Sequence, residues 1–320
     1  MQGYIVDKDE ISIIANNCGV ISGENPDSTI LNISNLNEKY EKEDLVQIYN
    51  FMLLNSRTPE VMIYLIQCID KYRDNTSLES LVDTLISKKS EDNSEKFSTV
   101  RIMCAKAIAN LKNTDAVSSL LYCLNNKEEN YKVRLACADA LGKIGDKYAV
   151  APLIDVAKDD NEKSVYLRET AVHALGVLGD IRAVDPLVKI IEEKNGIIDK
   201  FTYLKERAIE ALIKMGFNNN ERIFRALKSS LDDESKQVRI NAIEALMDSE
   251  HPKAYATIKE VLENDCDEEV KKNAMIALYN MEGREILDEI VNSSKYSAFL
   301  KDEATQIIEE YENDEEFSDD

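Results

Sequence analysis

Apolar residues recur along this chain in two rhythms, a short helical step inside each segment and a step of thirty-odd residues between segments. Each segment opens with an apolar residue followed by a basic one: Val100-Arg101, Val133-Arg134, Leu167-Arg168, Leu204-Lys205, Val238-Arg239, Val270-Lys271 and Leu300-Lys301. The spacings are 33, 34, 37, 34, 32 and 30 residues. A weaker copy without the basic residue begins at Val61, 39 residues before Val100. Regular spacing in this range marks stacked repeats rather than one compact core.

With the apolar opening residue counted as zero, position four holds Cys104, Cys137, Ala171, Ala208, Ala242, Ala274 and Ala304. Position seven holds Ala107, Ala140, Ala174, Ala211, Ala245 and Ala277. Position eight holds Ile108, Leu141, Leu175, Leu212, Leu246, Leu278 and Ile308. These steps put all three positions on one face of a helix. Small residues at four and seven admit a neighbouring helix, and the large residue at eight fills the core. The copy at Val61 obeys the rule with Cys68 and Ile69.

A second helix is predicted after each first one. Two links are explicit, Gly145-Asp146 and Gly179-Asp180. Glycine suits the left-handed residue after a helix end, and aspartate caps the next helix. The apolar runs that follow are Ala116-Val117 with Leu120-Leu121, Ala149-Val150 with Leu153-Ile154, and Ala183-Val184 with Leu187-Val188. Pro152 and Pro186 lie just inside these second helices, where a missing amide hydrogen costs nothing, so the regular helices should start near Ala149 and Ala183.

The expected fold is all-α: seven helix pairs over roughly 61–293 and a final helix over roughly 297–311, from the four–seven–eight pattern. Residues 61–311 form the repeat solenoid and 37–60 hold a capping helix, read from the amphipathic stretch 38–54. Residues 1–36, with Gly19, Gly23, Pro26 and several asparagines, read as loop-rich. Insertions are read at 88–99 and 193–203. The acidic tail 312–320 repels itself and is expected to be disordered.

The segment 133–191, VRLACADALGKIGDKYAVAPLIDVAKDDNEKSVYLRETAVHALGVLGDIRAVDPLVKII, resembles the HEAT-like repeats of the phycobilin-lyase (E/Z) type. The likeness is strong there and degenerate from 61 to 308. It implies an α-solenoid, a right-handed superhelix of antiparallel helix pairs of the HEAT or armadillo kind. It also implies an alternative activity, that of a bilin-lyase-like or chaperone-like subunit acting on a tetrapyrrole-carrying client. Such repeats serve many roles, and no residue here maps to a pigment site.

The 39 basic and 61 acidic residues among 320 leave a net charge of −22, which argues against a nucleic-acid backbone as ligand. The first residues carry Asp7, Lys8, Asp9 and Glu10 where a secretory signal needs an apolar run, and no stretch approaches a membrane span. A cytoplasmic protein is the expectation, with neither membrane nor nucleic acid as partner and a monomer compatible with the pattern.

Catalytic chemistry has little to draw on. His173 and His251 are the sole histidines, and both are expected at the surface. No His-Glu dipeptide occurs, which excludes di-iron HEAT-repeat hydroxylases, and no tryptophan is present, as HEAT-like DNA glycosylases need. Neither HExxH nor a phosphate-binding GxxxxGK[ST] occurs. Of six cysteines none forms a CxxC pair; Cys68, Cys104 and Cys137 read as small core residues, and Cys18 has no evident role. No catalytic residue, metal or cofactor is expected. The ladder Arg101, Arg134, Arg168, Lys205, Arg239 and Lys271 reads as structural, joined to turn acids such as Asp159-Asp160, Asp232-Asp233, Asp265 and Asp267.

The second helices should line the inner surface. Their polar columns are Tyr122, Asp155, Lys189, Ser229, Glu260 and Ser118, Ala151, Asp185, Arg225, Ala256, Asp288. Mixed charge suits a protein surface better than a polyanion. The expected function is a non-catalytic protein-interaction scaffold, contacting its partner through Tyr122, Asp155, Asp185, Lys189, Arg225 and Glu260.

Overall fold

A computed structural model describes residues 7–23, 25–87, 95–193, 200–216 and 219–318, with side chains described from 202 onward in the fourth stretch and up to 310 in the last. The described residues contain helices and no strand. They form an all-α solenoid, divided into two compact units, Met1–Leu178 and Gly179–Asp320.

The first unit holds α1 (Lys8–Asn17), α2 (Pro26–Ser34), α3 (Lys42–Asn55), α4 (Pro59–Tyr72), α5 (Leu78–Ile86), α6 (Glu95–Leu111), α7 (Val117–Asn125), α8 (Tyr131–Ile144), α9 (Val150–Lys158) and α10 (Val165–Leu178). The second holds α11 (Val184–Glu192), α12 (Lys200–Lys214), α13 (Glu221–Ser230), α14 (Lys236–Asp248), α15 (Ala254–Asn264), α16 (Glu268–Glu282), α17 (Glu285–Asn292) and α18 (Ala298–Ser318). From α4 onward, first and second helices alternate along the chain. The unit boundary falls in the Gly179 link, inside the pair that the sequence reads as α10 and α11.

Stacking follows one rule in both units. First helices pack on first helices, α6 on α8 and α8 on α10 in one unit, α12 on α14 and α14 on α16 in the other. Each second helix packs on the first helix that follows it, as α7 does on α8 and α13 on α14. Every residue at position four is completely buried, from Cys104 to Ala304. Position eight is buried from Ile108 to Leu278, and Ile308 on the last helix is half-buried.

The link between paired helices is a left-handed residue, then an Asp or Asn that caps a 3-10 turn, then the second helix. Gly145 has φ 86° and Asp146 accepts from the Tyr148 amide at 2.8 Å. Gly179 has φ 59° and Asp180 accepts from the Arg182 amide at 3.0 Å. Arg73 with Asp74, and Lys112 with Asn113, build the same link without glycine. That is why only two links were legible in the sequence: the cap is common to all four, but the left-handed residue need not be glycine. The 3-10 turn ends at Ala149 and Ala183, and the α-helix begins one residue later.

One close approach sets the spacing of α8 and α10. A Cβ on Gly142 would stand 2.9 Å from both Cα and Cβ of Ala174. Helix propensity alone favours alanine over glycine by about 1 kcal/mol, whereas overpacking costs about 1–3 kcal/mol. The blocking atoms belong to a helix backbone and cannot rotate away, so overpacking wins. Gly142→Ala should therefore lower the urea midpoint, with a net loss of up to about 2 kcal/mol; a stabilised variant would show that the contact relaxes freely.

The N-terminal 36 residues, read as loop-rich, carry α1 and α2. Ile11, Ile14 and Ala15 bury one side of α1, and α1 packs on α3. Pro26 opens α2, and the Asn25 side chain accepts from the Asp27 amide at 2.9 Å. Both helices are short and bracketed by Gly and Asn, so their stability comes from packing that local propensity does not display. Residues 88–94 and 194–199 of the two expected insertions, and residues 319–320 of the acidic tail, lie outside the described residues; 95–99 belong to α6 and 200–203 to α12. The backbone of α18 stays helical to Ser318, through the segment that charge repulsion predicts to be disordered.

Candidate functional site

The structure places Tyr122 and Asp155 on exposed positions of α7 and α9, in the first unit. Tyr122 is 59% exposed, a large apolar ring left in solvent beside a buried face of Val117, Leu120, Leu121 and Leu124. In the second unit Asp185 and Lys189 are exposed on α11, Arg225 on α13 and Glu260 on α15.

In the second unit the second helices are cross-linked by ion pairs, and Asp185 and Glu260 take part in them. Arg222 of α13 pairs with Glu192 of α11 at 2.7 Å and lies 3.8 Å from Asp185. Lys228 lies 3.7 Å from Glu260, and Lys259 of α15 pairs with Glu289 of α17 at 2.8 Å. Arg225 turns back along its own helix to Glu221 at 3.1 Å. Arg225, with His251 on the other side, holds the Glu221 carboxyl below the usual carboxylate range. These pairs are exposed and individually weak. They arrange a mixed-charge row, as the alignment of polar columns suggests, rather than a basic track.

The arginine column is structural. Arg101, Arg134 and Arg168 each donate Nε–H to a carbonyl at the end of the preceding second helix: Leu85 at 2.7 Å, Leu124 at 2.8 Å and Ala157 at 2.9 Å. Those carbonyls lack intrahelical donors, so the guanidinium supplies one. The other end reaches an acid in the next turn: Arg101 to Glu129 at 2.6 Å, Arg134 to Glu162 at 2.8 Å, Arg239 to Asp265 at 2.9 Å, and Lys205 to Asp233 at 2.7 Å. Arg168 reaches back to Asp160 at 3.3 Å. Asp160, Asp233 and Asp265 were legible from their position in the turns. Glu129 and Glu162 were not, although the 33-residue interval between them is itself the signal.

His173 is exposed on the first-helix column, as expected. His251 is not at the surface, contrary to expectation. It is buried, stacked on Phe224 with ring centroids 3.9 Å apart. Its Nδ1 accepts from the Lys253 amide at 3.3 Å, which makes Nε2 the donor to Glu221 at 3.2 Å. Proximity to Pro252 suggested an exposed link; the Phe224 ring, 27 residues earlier, covers it instead. Cys104, Cys123 and Cys137 are buried, and Cys18 is buried at the end of α1. Cys68 is half-buried and Cys266 exposed. Among the described residues no three His, Cys, Asp or Glu side chains come together as metal ligands, and no helix is long and apolar enough to cross a membrane.

Comparison with known proteins bears on the architecture. No curated protein matches the chain. The phycocyanin lyase complex of CpcE and CpcF from Nostoc sp. PCC7120 is 18% identical, with 82% of this chain and 94% of that one aligned at a TM-score of 0.44. The karyopherin Kap121p bound to the SUMO protease Ulp1p is 12% identical, with 92% of this chain and 36% of that one aligned at 0.53. A Kap121p mutant, D353K/E396K/D438K, gives 12% identity, 93% and 41% coverage, and 0.52. The chain thus spans well under half of the karyopherin, and the likeness is one of fold. The profile of HEAT repeats matches at 91–165, 126–202 and 195–279, together more than half of the chain. On that match, the chain belongs to the HEAT-repeat family.

Proposed function

We propose that this protein is a non-catalytic scaffold that binds a protein partner along its second helices. The observation that carries the reading is the regular display of Tyr122, Asp155, Asp185, Lys189, Arg225 and Glu260 at exposed, repeat-equivalent positions over buried apolar faces. Repeat stacking produces an extended surface without a deep pocket, so recognition is spread over several repeats. A solenoid of this fold engages a protein in the Kap121p–Ulp1p complex. The reading here rests on the chain's own surface.

Within that surface Tyr122 and Arg225 are the expected anchors. A tyrosine ring brings large contact area with little entropy to lose, and Tyr and Arg dominate binding hot spots. The excess of acid steers a basic partner at long range, an effect that salt removes. The test starts from a partner identified by affinity purification from the native cell and proceeds with purified components. Tyr122→Ala and Arg225→Ala should each weaken binding by more than about 1 kcal/mol, read by calorimetry. Lys106→Ala and Glu244→Ala, on exposed first-helix positions, should leave it unchanged. Loss of affinity from the first-helix changes alone would place the interface on the other face.

A further inference from the structure

The second helices carry their charge differently in the two units. In the second unit their acids are neutralised within the chain: Glu192 by Arg222 at 2.7 Å, Glu221 by Arg225 at 3.1 Å, Glu260 by Lys228 at 3.7 Å and Glu289 by Lys259 at 2.8 Å. In the first unit Asp83 of α5, Tyr122 of α7 and Asp155 of α9 occupy one column, each five residues after the first residue of its helix, Leu78, Val117 and Val150. Glu79 stands one turn before Asp83. All four are exposed, and among the described residues no ion pair involves Glu79, Asp83 or Asp155. Lys158, the one cation on these three helices, lies at the far end of α9. α5 packs on α7, and α7 packs on the 3-10 turn Lys147–Ala149 that opens α9, so the column runs across successive repeats.

We propose, resting on the reading that a partner binds along the second helices, that this column takes an extended, arginine-rich segment of the partner protein, with arginine at every third position. One arginine meets Asp83 and Glu79, the middle one lies on the Tyr122 ring, and the third meets Asp155. The ring is 59% exposed and offers its face to a guanidinium. Charge complementarity selects this occupant. An uncharged partner would strip water from three carboxylates and give them no counter-ion in return. A second copy of this chain would bring a net charge of −22 against them. The paired acids of the second unit make no such demand on what covers them.

The spacing follows from the helix stack. Neighbouring helices stand about 10 Å apart. A polyproline-II chain turns once in three residues and rises about 9 Å in that turn. Residues i, i+3 and i+6 of such a segment therefore face one side in step with Asp83, Tyr122 and Asp155. A β-strand alternates its side chains and would turn i and i+3 to opposite faces.

The test titrates the full chain against a fluorescein-labelled peptide of repeated Arg-Pro-Ser and reads anisotropy at physiological salt. Asp83→Asn combined with Asp155→Asn should weaken binding about fivefold or more. Tyr122→Ala should have a similar effect, and Tyr122→Phe, which keeps the ring, should not. Glu244→Gln combined with Asp302→Asn removes the same charge from exposed first-helix positions and should change affinity by less than about twofold. A peptide of the same composition with its arginines consecutive should bind more weakly. Equal losses in the two double variants would mean that net charge alone attracts the peptide, and would overturn the assignment. No binding, or equal binding of the two peptides, would overturn it as well. If the peptide ignores these changes while the partner from the native cell still loses affinity on Tyr122→Ala, the basic segment is wrong and binding along the second helices stands. If neither responds to Tyr122→Ala, both fall.

Discussion

Replacing Arg134 by Met is expected to cost about 3–5 kcal/mol, the loss that follows when one member of a buried ion pair is removed. The side chains of Arg134 and Glu162 are 6% and 7% exposed, and their charges meet at 2.8 Å. Methionine fills much of the arginine's volume, so the loss comes from charge and hydrogen bonding rather than from a cavity. Two groups are stranded: the Glu162 carboxylate, left buried without its cation, and the Leu124 carbonyl, which loses its Nε–H donor. Arg134→Lys keeps the charge but not the fork that serves both acceptors, and should fall between. Arg134→Met combined with Glu162→Gln should recover part of the loss, because the stranded charge is gone. Urea titrations of the four proteins, followed by circular dichroism, give the comparison. A loss under about 0.5 kcal/mol for Arg134→Met, typical of a surface change, would mean that Glu162 finds water.

Ala242→Phe is expected to be at or above the upper end of the usual overpacking cost of about 1–3 kcal/mol. Ala242 sits at position four of α14, fully buried, on the helix that packs against both α12 and α16. A benzyl group there must open the interfaces with both neighbouring helices. Lys106→Ala, on an exposed position of α6, should stay within about 0.5 kcal/mol. Thermal melts of both variants check the pair. Similar effects at the two sites would mean that the helix faces are misassigned.

The four–seven–eight pattern was legible because a repeat buries the same stripe each time, and a buried stripe restricts residue size at every copy. Cys104, Cys137 and Ala208 through Ala304 are interchangeable there for that reason, and all are buried. The Gly-Asp links at 145–146 and 179–180 were legible because a left-handed residue and an N-cap each favour few residue types. These preferences act within one helix and its turn, so the order of residues carries them.

Contacts between helices follow a different logic. Whether Arg134 meets Glu162 or an aspartate nearby depends on the rotation and register of stacked helices, and the local pattern does not encode either. His251 is buried because Phe224 happens to face it, and α1 is helical because α3 covers Ile11 and Ile14. The ion pairs of Arg222 and Lys228 likewise join residues that no shared helical face predicts. The sequence by itself determined the helices from α3 onward, their buried faces and the HEAT-type repeat, since burial selects residues one helix at a time. Only the tertiary structure decided which charged and aromatic side chains touch, since those distances arise from stacking one repeat on the next.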